Sequence, residues 1–85
     1  MKYTFFTDPS HGWLEVPVSE LHKLGIANKI TQYSYRHKHL AYLEEDCDAS
    51  TFVDAYFVAY GVRPEFVEVN SNEESFVRRL PRYYV

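Results

Sequence analysis

Residues 40–61 of the chain read LAYLEEDCDASTFVDAYFVAYG, and this stretch predicts a β-strand followed at once by a helix. The strand covers 40–44, where side chains alternate as they do in a half-buried strand. Asp48 is the predicted N-cap, because its short carboxylate can accept hydrogen bonds from the free N–H groups of the first turn. Gly61 is predicted to end the helix, because glycine adopts positive φ angles at low cost.

The predicted helix is apolar over more than half of its circumference. This apolar arc comprises Phe52, Val53, Ala55, Tyr56, Phe57, Ala59 and Tyr60. The other side carries Ser50, Thr51 and Asp54, with Val58 stranded among them. Packing on one face of a sheet covers a narrower stripe than this. We therefore expect apolar helix surface, Val58 included, to be free for contact with another molecule, either a different protein or a second copy of the chain.

A hairpin and a short helix are predicted at the start of the chain. The strands of the hairpin are Lys2–Thr7 and Trp13–Val16, and the turn residues at 8–12 connect them. A helix of little more than one turn is expected over Glu20–Leu24. Its predicted N-cap is Ser19, because a hydroxyl can accept a hydrogen bond from the first turn.

A second hairpin is predicted immediately before the long helix. Its first strand is Ile30–Tyr35, in which Tyr33 and Tyr35 alternate with polar residues. The polar segment Arg36–His39 forms a basic tip, and the chain returns along Leu40–Glu44.

The C-terminal part predicts one clear strand and one ambiguous segment. Glu65–Asn70 is the strand. Residues 71–80 fit either a polar loop followed by an edge strand, which we favour, or a helix that begins with a capping box at Ser71. The element order is then roughly β-β-α-β-β-α-β. This order predicts an α+β fold with a mainly antiparallel sheet and two helices packed on one face.

The length and charge of the chain exclude several classes of protein. Eighty-five residues are enough for one domain, 1–85, and exclude separate catalytic and regulatory modules. Nine Lys and Arg against twelve Asp and Glu give a net charge of −3, which is too small to indicate a DNA-binding domain or an acidic mimic of nucleic acid. The aromatic content of 18%, with eight Tyr, six Phe and one Trp, is unusually high.

The sequence also predicts where the protein acts. A lone Cys47 cannot form an internal disulfide. The N-terminal residues lack the apolar core of a signal peptide, and no stretch is long and apolar enough to span a membrane. We expect a cytoplasmic protein without a membrane partner.

An acidic cluster precedes the long helix and includes Glu44, Glu45, Asp46 and Asp48. Helix capping and stabilisation of the helix dipole account for it most simply. The same carboxylates are candidates for contact with a partner protein. We predict no metal site here, because a hard cation needs several converging oxygens and a chain that turns back on itself.

Two further residues, His11 and Cys47, are of types found in catalytic sites, but the residues around them do not predict a catalytic site. His11 lies in a turn with Asp8 and Ser10, but nearness in sequence does not make a catalytic triad, which is defined by its arrangement in space. Cys47 lies between two carboxylates, which raise the pKa of a thiol and suppress the thiolate. A small hydrolase or metal enzyme around His11 and the acidic cluster is the third hypothesis, and no catalytic residue or cofactor is predicted.

A basic and aromatic group of residues could bind single-stranded nucleic acid. The candidates are Tyr33, Tyr35, Arg36 and Lys38 of the second hairpin, with Arg78 and Arg79 of the basic-aromatic tail 78–84. Aromatic rings stack on bases and cations hold phosphates. The acidic total of the chain makes nucleic acid a less favoured partner than protein.

The chain resembles a group of short, uncharacterised accessory proteins of bacterial, phage and plasmid genomes. The resemblance covers residues 5–52, with a weaker likeness at 78–83, and rests on HGWLEV at 11–16, LGI at 24–26, YSY at 33–35 and YLEEDCDA at 42–49. It implies an accessory gene of a mobile element and brings no site residues with it. The first hypothesis is therefore a non-enzymatic interaction protein, an inhibitor or modulator of a host protein.

Overall fold

The computed structural model describes residues 2–85. Within them lie the strands β1 (Lys2–Thr7), β2 (Gly12–Pro17), β3 (Tyr35–His37), β4 (Leu40–Glu44) and β5 (Glu65–Asn70), the helices α1 (Val18–Lys23) and α2 (Asp48–Tyr60), and the 3₁₀ helices Ala27–Lys29 and Phe76–Arg79. The predicted α+β class is confirmed, and the predicted element order is roughly that of the structure.

The strands form one mostly antiparallel sheet in the order β3-β4-β2-β1-β5. The β1–β2 hairpin, the β2–β4 pair and the β3–β4 hairpin are antiparallel. β5 is parallel to β1, with Lys2 opposite Glu65 and Thr7 opposite Asn70. α2 makes the crossover that a parallel pair requires. β5 is therefore an edge strand, and among the described residues only β1 pairs with it.

One face of the sheet carries the main core and both α-helices. Leu14, Val16, Ala41 and Leu43 lie on this face and are fully buried. Phe52 of α2 is also fully buried and meets the ring of Tyr3 edge-on at 5.3 Å. Burial of a side chain of this size contributes about 1.5–3 kcal/mol. The prediction that two helices pack on one face is confirmed.

The opposite face carries a smaller core beneath the C-terminal segment. Trp13 and Tyr42 from the sheet pack with Val77 of the second 3₁₀ helix. Tyr42 donates a hydrogen bond to Glu15 at 2.8 Å, and burial together with this bond raises the pKa of the tyrosine. No local pattern in residues 75–80 predicts that they cover this face.

The predicted strand Ile30–Tyr35 is wrong, because the chain forms a 3₁₀ helix and a turn before β3 begins at Tyr35. The reason is a set of hydrogen bonds to α2. The backbone N–H and the hydroxyl of Thr31 donate to Asp48 Oδ2 at 3.0 and 2.6 Å, and the hydroxyl of Ser34 donates to the same oxygen at 2.5 Å. These bonds hold residues 31–34 as a turn and bury Ser34 completely.

Both predicted N-caps are also wrong. α2 begins at Asp48 itself, with Cys47 in the cap position, because the Asp48 carboxylate is engaged by Thr31 and Ser34. α1 begins at Val18, ahead of Ser19. The N–H of Val18 donates a hydrogen bond to the carbonyl of His39 at 2.8 Å, so the hairpin turn, and not a side-chain cap, satisfies this end of the helix.

The basic tip of the second hairpin is shorter than predicted. Arg36 and His37 belong to β3, and the turn consists of Lys38 and His39. Lys38 has a φ of 57°, the left-handed conformation that a tight hairpin turn requires.

The favoured edge strand within residues 71–80 is wrong, since Phe76–Arg79 is a 3₁₀ helix. Its N-cap is Ser75, which accepts a hydrogen bond from Val77 N. The hydroxyl of Ser71 bonds instead to the backbone of Glu73 and caps no helix. Asp8 holds the segment by accepting hydrogen bonds from Ser75 N and from Arg78.

We expect Asp48→Ala to lower the free energy of unfolding by about 2–4 kcal/mol, because three donors would lose their buried acceptor. Urea denaturation measures the change. The control Asp46→Ala removes an exposed carboxylate two residues earlier and should change stability by less than about 0.5 kcal/mol. Equal effects of the two substitutions would contradict a structural role for Asp48.

Candidate functional site

An open pocket of about 480 Å³ brings together several of the residues that the sequence singles out. We call it the aromatic–arginine pocket. It is lined by His11, Gly12, Trp13, Tyr33, Tyr35, Glu44, Asp46, Cys47, Arg78 and Arg82. Glu44 and Asp46 of the acidic cluster therefore meet part of the basic-aromatic group, although the two are far apart in the sequence.

The sheet positions the walls of this pocket. Trp13 in β2 lies opposite Glu44 in β4, and Tyr35 in β3 lies opposite Tyr42. Because alternate side chains of a strand point to opposite faces, Trp13, Tyr35 and Glu44 lie on the face away from the helices. The 31–34 turn adds Tyr33, whose side chain is 73% exposed.

Arginine side chains stack on the aromatic rings around the pocket. The guanidinium of Arg78 lies 5.2 Å from the ring centre of Trp13, and that of Arg82 lies 5.0 Å from Tyr35. Farther along the tail, the guanidinium of Arg36 lies 4.5 Å from the ring of Tyr84. Such contacts combine cation–π attraction with planar stacking and hold each guanidinium in a fixed orientation.

Arg78 is tied to a buried carboxylate. Its Nε and Nη2 donate to the two oxygens of Asp8 at 2.7 and 3.1 Å. Asp8 also accepts from the backbone N–H groups of Ser10, His11 and Ser75. The guanidinium, together with these N–H groups, holds the pKa of Asp8 well below its usual range. The pair therefore works as a structural clamp, and it compensates most of the charge that Arg78 brings to the pocket.

The acidic side of the pocket is held less tightly. Glu44 Oε2 accepts a hydrogen bond from Asp46 N at 3.0 Å. Next to the pocket, Glu45 Oε1 lies 3.9 Å from His11 Nδ1, and both side chains are substantially exposed. An exposed pair at this distance contributes little. Cys47 is free and exposed.

The neighbours of His11 do not form a catalytic triad. Asp8 accepts from the backbone N–H groups of Ser10 and His11, whereas in a triad the carboxylate bonds to the imidazole ring. Within residues 2–85, no group of three His, Cys, Asp or Glu side chains is placed to hold a metal ion.

Only some of the nucleic-acid candidates meet. Tyr33, Tyr35 and Arg78 line the pocket. Arg36 bonds instead to the carbonyls of Lys38 and Tyr84, Lys38 lies in the hairpin turn, and Arg79 is exposed on the 3₁₀ helix. Arg82 was missing from the predicted site residues, although the basic-aromatic composition of 78–84 pointed toward it.

The partner-binding candidates fall into three different environments. Glu45 and Asp46 are exposed, and Glu44 is half-buried. Asp48 is completely buried, so it cannot touch a partner and its place among these candidates is corrected. Val58 is 85% exposed, as predicted for its position on the helix. It lies ten residues along α2 from Asp48, about 15 Å away, so the acidic cluster and Val58 form separate surfaces.

A second concave surface lies on the helix side of the sheet, and sequence reasoning missed it. This apolar groove of about 440 Å³ runs between α2 and the β1–β5 half of the sheet. It is lined by Phe5, Leu14, Glu45, Ala49, Ser50, Val53, Asp54, Arg63 and Phe66. Phe52 and Tyr56 of α2 cover Tyr3 of β1, whereas Phe5 of β1 and Phe66 of β5 stay open to the groove.

No protein-family model matches this chain, and no curated protein or solved structure shows significant similarity to it. The helices within residues 2–85 are all too short or too polar to cross a lipid bilayer.

The Asp8–Arg78 clamp predicts a specific pH dependence of stability. Because the pKa of Asp8 is lowered in the folded state, its contribution is complete above the pKa of about 3.9 that an unfolded aspartate has. The contribution is lost as the pH falls below that value. We expect Asp8→Ala to cost about 2–3 kcal/mol at pH 7 and clearly less at pH 2.

Urea denaturation at pH 7, 4 and 2 tests this expectation. Glu73→Ala, which removes an exposed carboxylate, is the matched control and should leave the pH profile of the wild type unchanged. A difference between Asp8→Ala and wild type that is constant from pH 7 to pH 2 would show that the clamp is wrongly assigned.

Proposed function

We propose that the chain is a small non-enzymatic interaction protein that binds another protein. The observation that carries this proposal is the exposure of large apolar side chains on α2 and β5. Val58 is 85% exposed and Phe57 49%, while Phe66, Val67 and Val69 of β5 are 47–48% exposed. Exposed apolar surface of this kind is typical of protein interfaces.

These exposed apolar residues are better placed to contact another protein than to stabilise the core. Val62 directly follows the end of α2 and is 59% exposed, so it adds to the exposed apolar surface and not to the core. β5 is an edge strand whose six residues are all exposed. Its apolar residues Phe66, Val67 and Val69 are all exposed, and Glu65 and Glu68 are its only charged residues. An edge of this composition is stabilised when another chain covers it.

The resemblance to accessory proteins of mobile elements suggests what kind of partner to expect. Small proteins of that type commonly act on a protein of the host cell. We therefore propose an inhibitor or modulator of a host protein. We expect it to act in the cytoplasm, because the single cysteine has no second cysteine with which to form an internal disulfide.

Site-specific photo-cross-linking in the cells of origin tests this proposal. A benzophenone amino acid is placed at Val58 and, in a separate variant, at Phe66; His39, an exposed polar residue of the hairpin turn, is the control position. We expect one discrete protein adduct from at least one apolar position and none from His39. An adduct between two copies of this chain would identify a homodimer. If all three positions yield no adduct, the proposed function is wrong.

A second candidate function is the binding of single-stranded nucleic acid. The specific observation in its favour is that Tyr33, Tyr35 and Arg82 meet at the aromatic–arginine pocket, with Tyr33 largely exposed. A base could stack on Tyr33 while the guanidinium of Arg82 contacts a phosphate. The net charge of −3 opposes this function, because long-range attraction to phosphate is weak.

Fluorescence anisotropy with labelled single-stranded oligonucleotides, titrated with salt, tests this candidate. If it is correct, Tyr33→Ala should weaken binding about fivefold or more, since one stacked base contributes about 1–3 kcal/mol. Tyr60→Ala, on α2 and on the other side of the sheet, should leave binding unchanged. Failure to bind any oligonucleotide at low salt removes this candidate.

A further inference from the structure

We propose that the apolar groove binds an amphipathic helix of a partner protein, with apolar side chains in the groove and basic side chains against its rim. This inference rests on the proposed function and names the surface and the chemistry of the partner. Four observations support it: the uncovered part of the sheet, the small side chains on α2, the charge of the rim and the charge of the chain itself.

Part of the helix-side face of the sheet stays open beside α2. Phe52 and Tyr56 of α2 cover Tyr3 at the start of β1, with ring centres 5.3 and 6.2 Å apart. Phe5 of β1 and Phe66 of β5 line the part that remains open, and Phe66 is 48% exposed. A helix laid beside α2 would cover this part and complete the layer.

The flank of α2 that borders the groove permits close approach of another helix. Its groove-lining residues include Ala49, Ser50 and Val53. Ala49 and Val53 are one turn apart and form a shallow ridge, and small side chains along such a ridge allow two helix axes to pack at about 8–10 Å. α2 is 13 residues long, or about 20 Å, which matches a partner helix of similar length.

The charges around the groove favour a basic partner. Glu45 and Asp54 line it, and the only cation among the lining residues is Arg63. Arg63 lies 5.7 Å from the ring of Phe57, which holds it toward α2. Glu68 of β5 is opposite Phe5 in the parallel register and therefore lies on the same face of the sheet. Lysine or arginine beside the apolar anchors of a helix would complement these carboxylates.

The same charges disfavour a second copy of this chain as the occupant. α2 exposes Asp54 and carries no lysine or arginine, so a second α2 would bring negative charge to a negative rim. The net charge of −3 adds to this repulsion. A basic amphipathic helix of a different protein is therefore the occupant that the groove fits.

Display selection with random 16-residue peptides tests the inference on the full chain. Peptides are selected on the wild type after removal of those that bind Ala49→Phe, in which the larger side chain fills the groove. We expect the selected peptides to carry a net positive charge and apolar residues at i, i+3 or i+4, and i+7, the helical period. Binding of a selected peptide should weaken at least tenfold on Asp54→Lys.

The control variant is Glu73→Lys, which makes the same change of charge at an exposed residue of the 71–75 loop and does not line the groove. It should change binding less than twofold. Asp54 is exposed, so its substitution tests the rim without disturbing the core. Circular dichroism of each variant, with an unchanged melting profile, confirms that folding is intact.

Several results would overturn the inference. They are the absence of any enriched peptide, enriched peptides with neutral or negative charge, apolar residues at alternate positions as in a strand added to β5, and equal binding to wild type and Asp54→Lys. Cross-links from Val58 without any from Phe66 would also overturn the groove as the site and leave the proposed function standing. The absence of cross-links from both positions overturns the proposed function itself.

Discussion

Most of the fold depends on the hydrogen bonds that the buried carboxylate of Asp48 accepts. One of its oxygens accepts three hydrogen bonds from Thr31 and Ser34. Ser34 in turn binds two further segments, because its hydroxyl accepts a hydrogen bond from Glu44 N and its carbonyl accepts one from Tyr83 N. A single carboxylate thus joins the start of α2, the 31–34 turn, the end of β4 and the C-terminal tail.

Asp8 has the same task on the opposite side of the sheet. It fastens the 8–11 turn to Ser75 and Arg78, which brings the C-terminal segment over Trp13 and Tyr42. The acidic residues therefore divide into two groups with different roles. Asp8 and Asp48 are buried and organise the scaffold, whereas Glu45 and Asp54 are exposed and give the apolar groove its negative rim.

Elements with a clear local pattern could be predicted from the sequence, and elements held by distant contacts could not. The hairpin of β1 and β2, the strands β4 and β5, and α2 follow from periodicity and turn residues. Residues 30–34 have the alternation of a strand, but hydrogen bonds to Asp48 outweigh that local preference. Asp8 similarly converts part of 71–80 into a 3₁₀ helix.

The candidate sites were harder to predict than the fold for a related reason. The chemistry of the aromatic–arginine pocket was visible in the composition of its segments, but the meeting of Glu44 with Arg78 depends on the pairing of strands. The apolar groove arises from the position of α2 on the sheet, and the only sequence signal that pointed to it was the excess of apolar surface on that helix.

A protein that acts through its helix-side surface should be protected there when its partner is bound. Hydrogen–deuterium exchange of the chain, alone and with the partner recovered by cross-linking, measures this directly. We expect slower exchange over residues 49–60 and 65–70 and no change over residues 31–37, which border the aromatic–arginine pocket. Protection confined to residues 31–37 would show that the binding surface lies on the opposite face of the sheet.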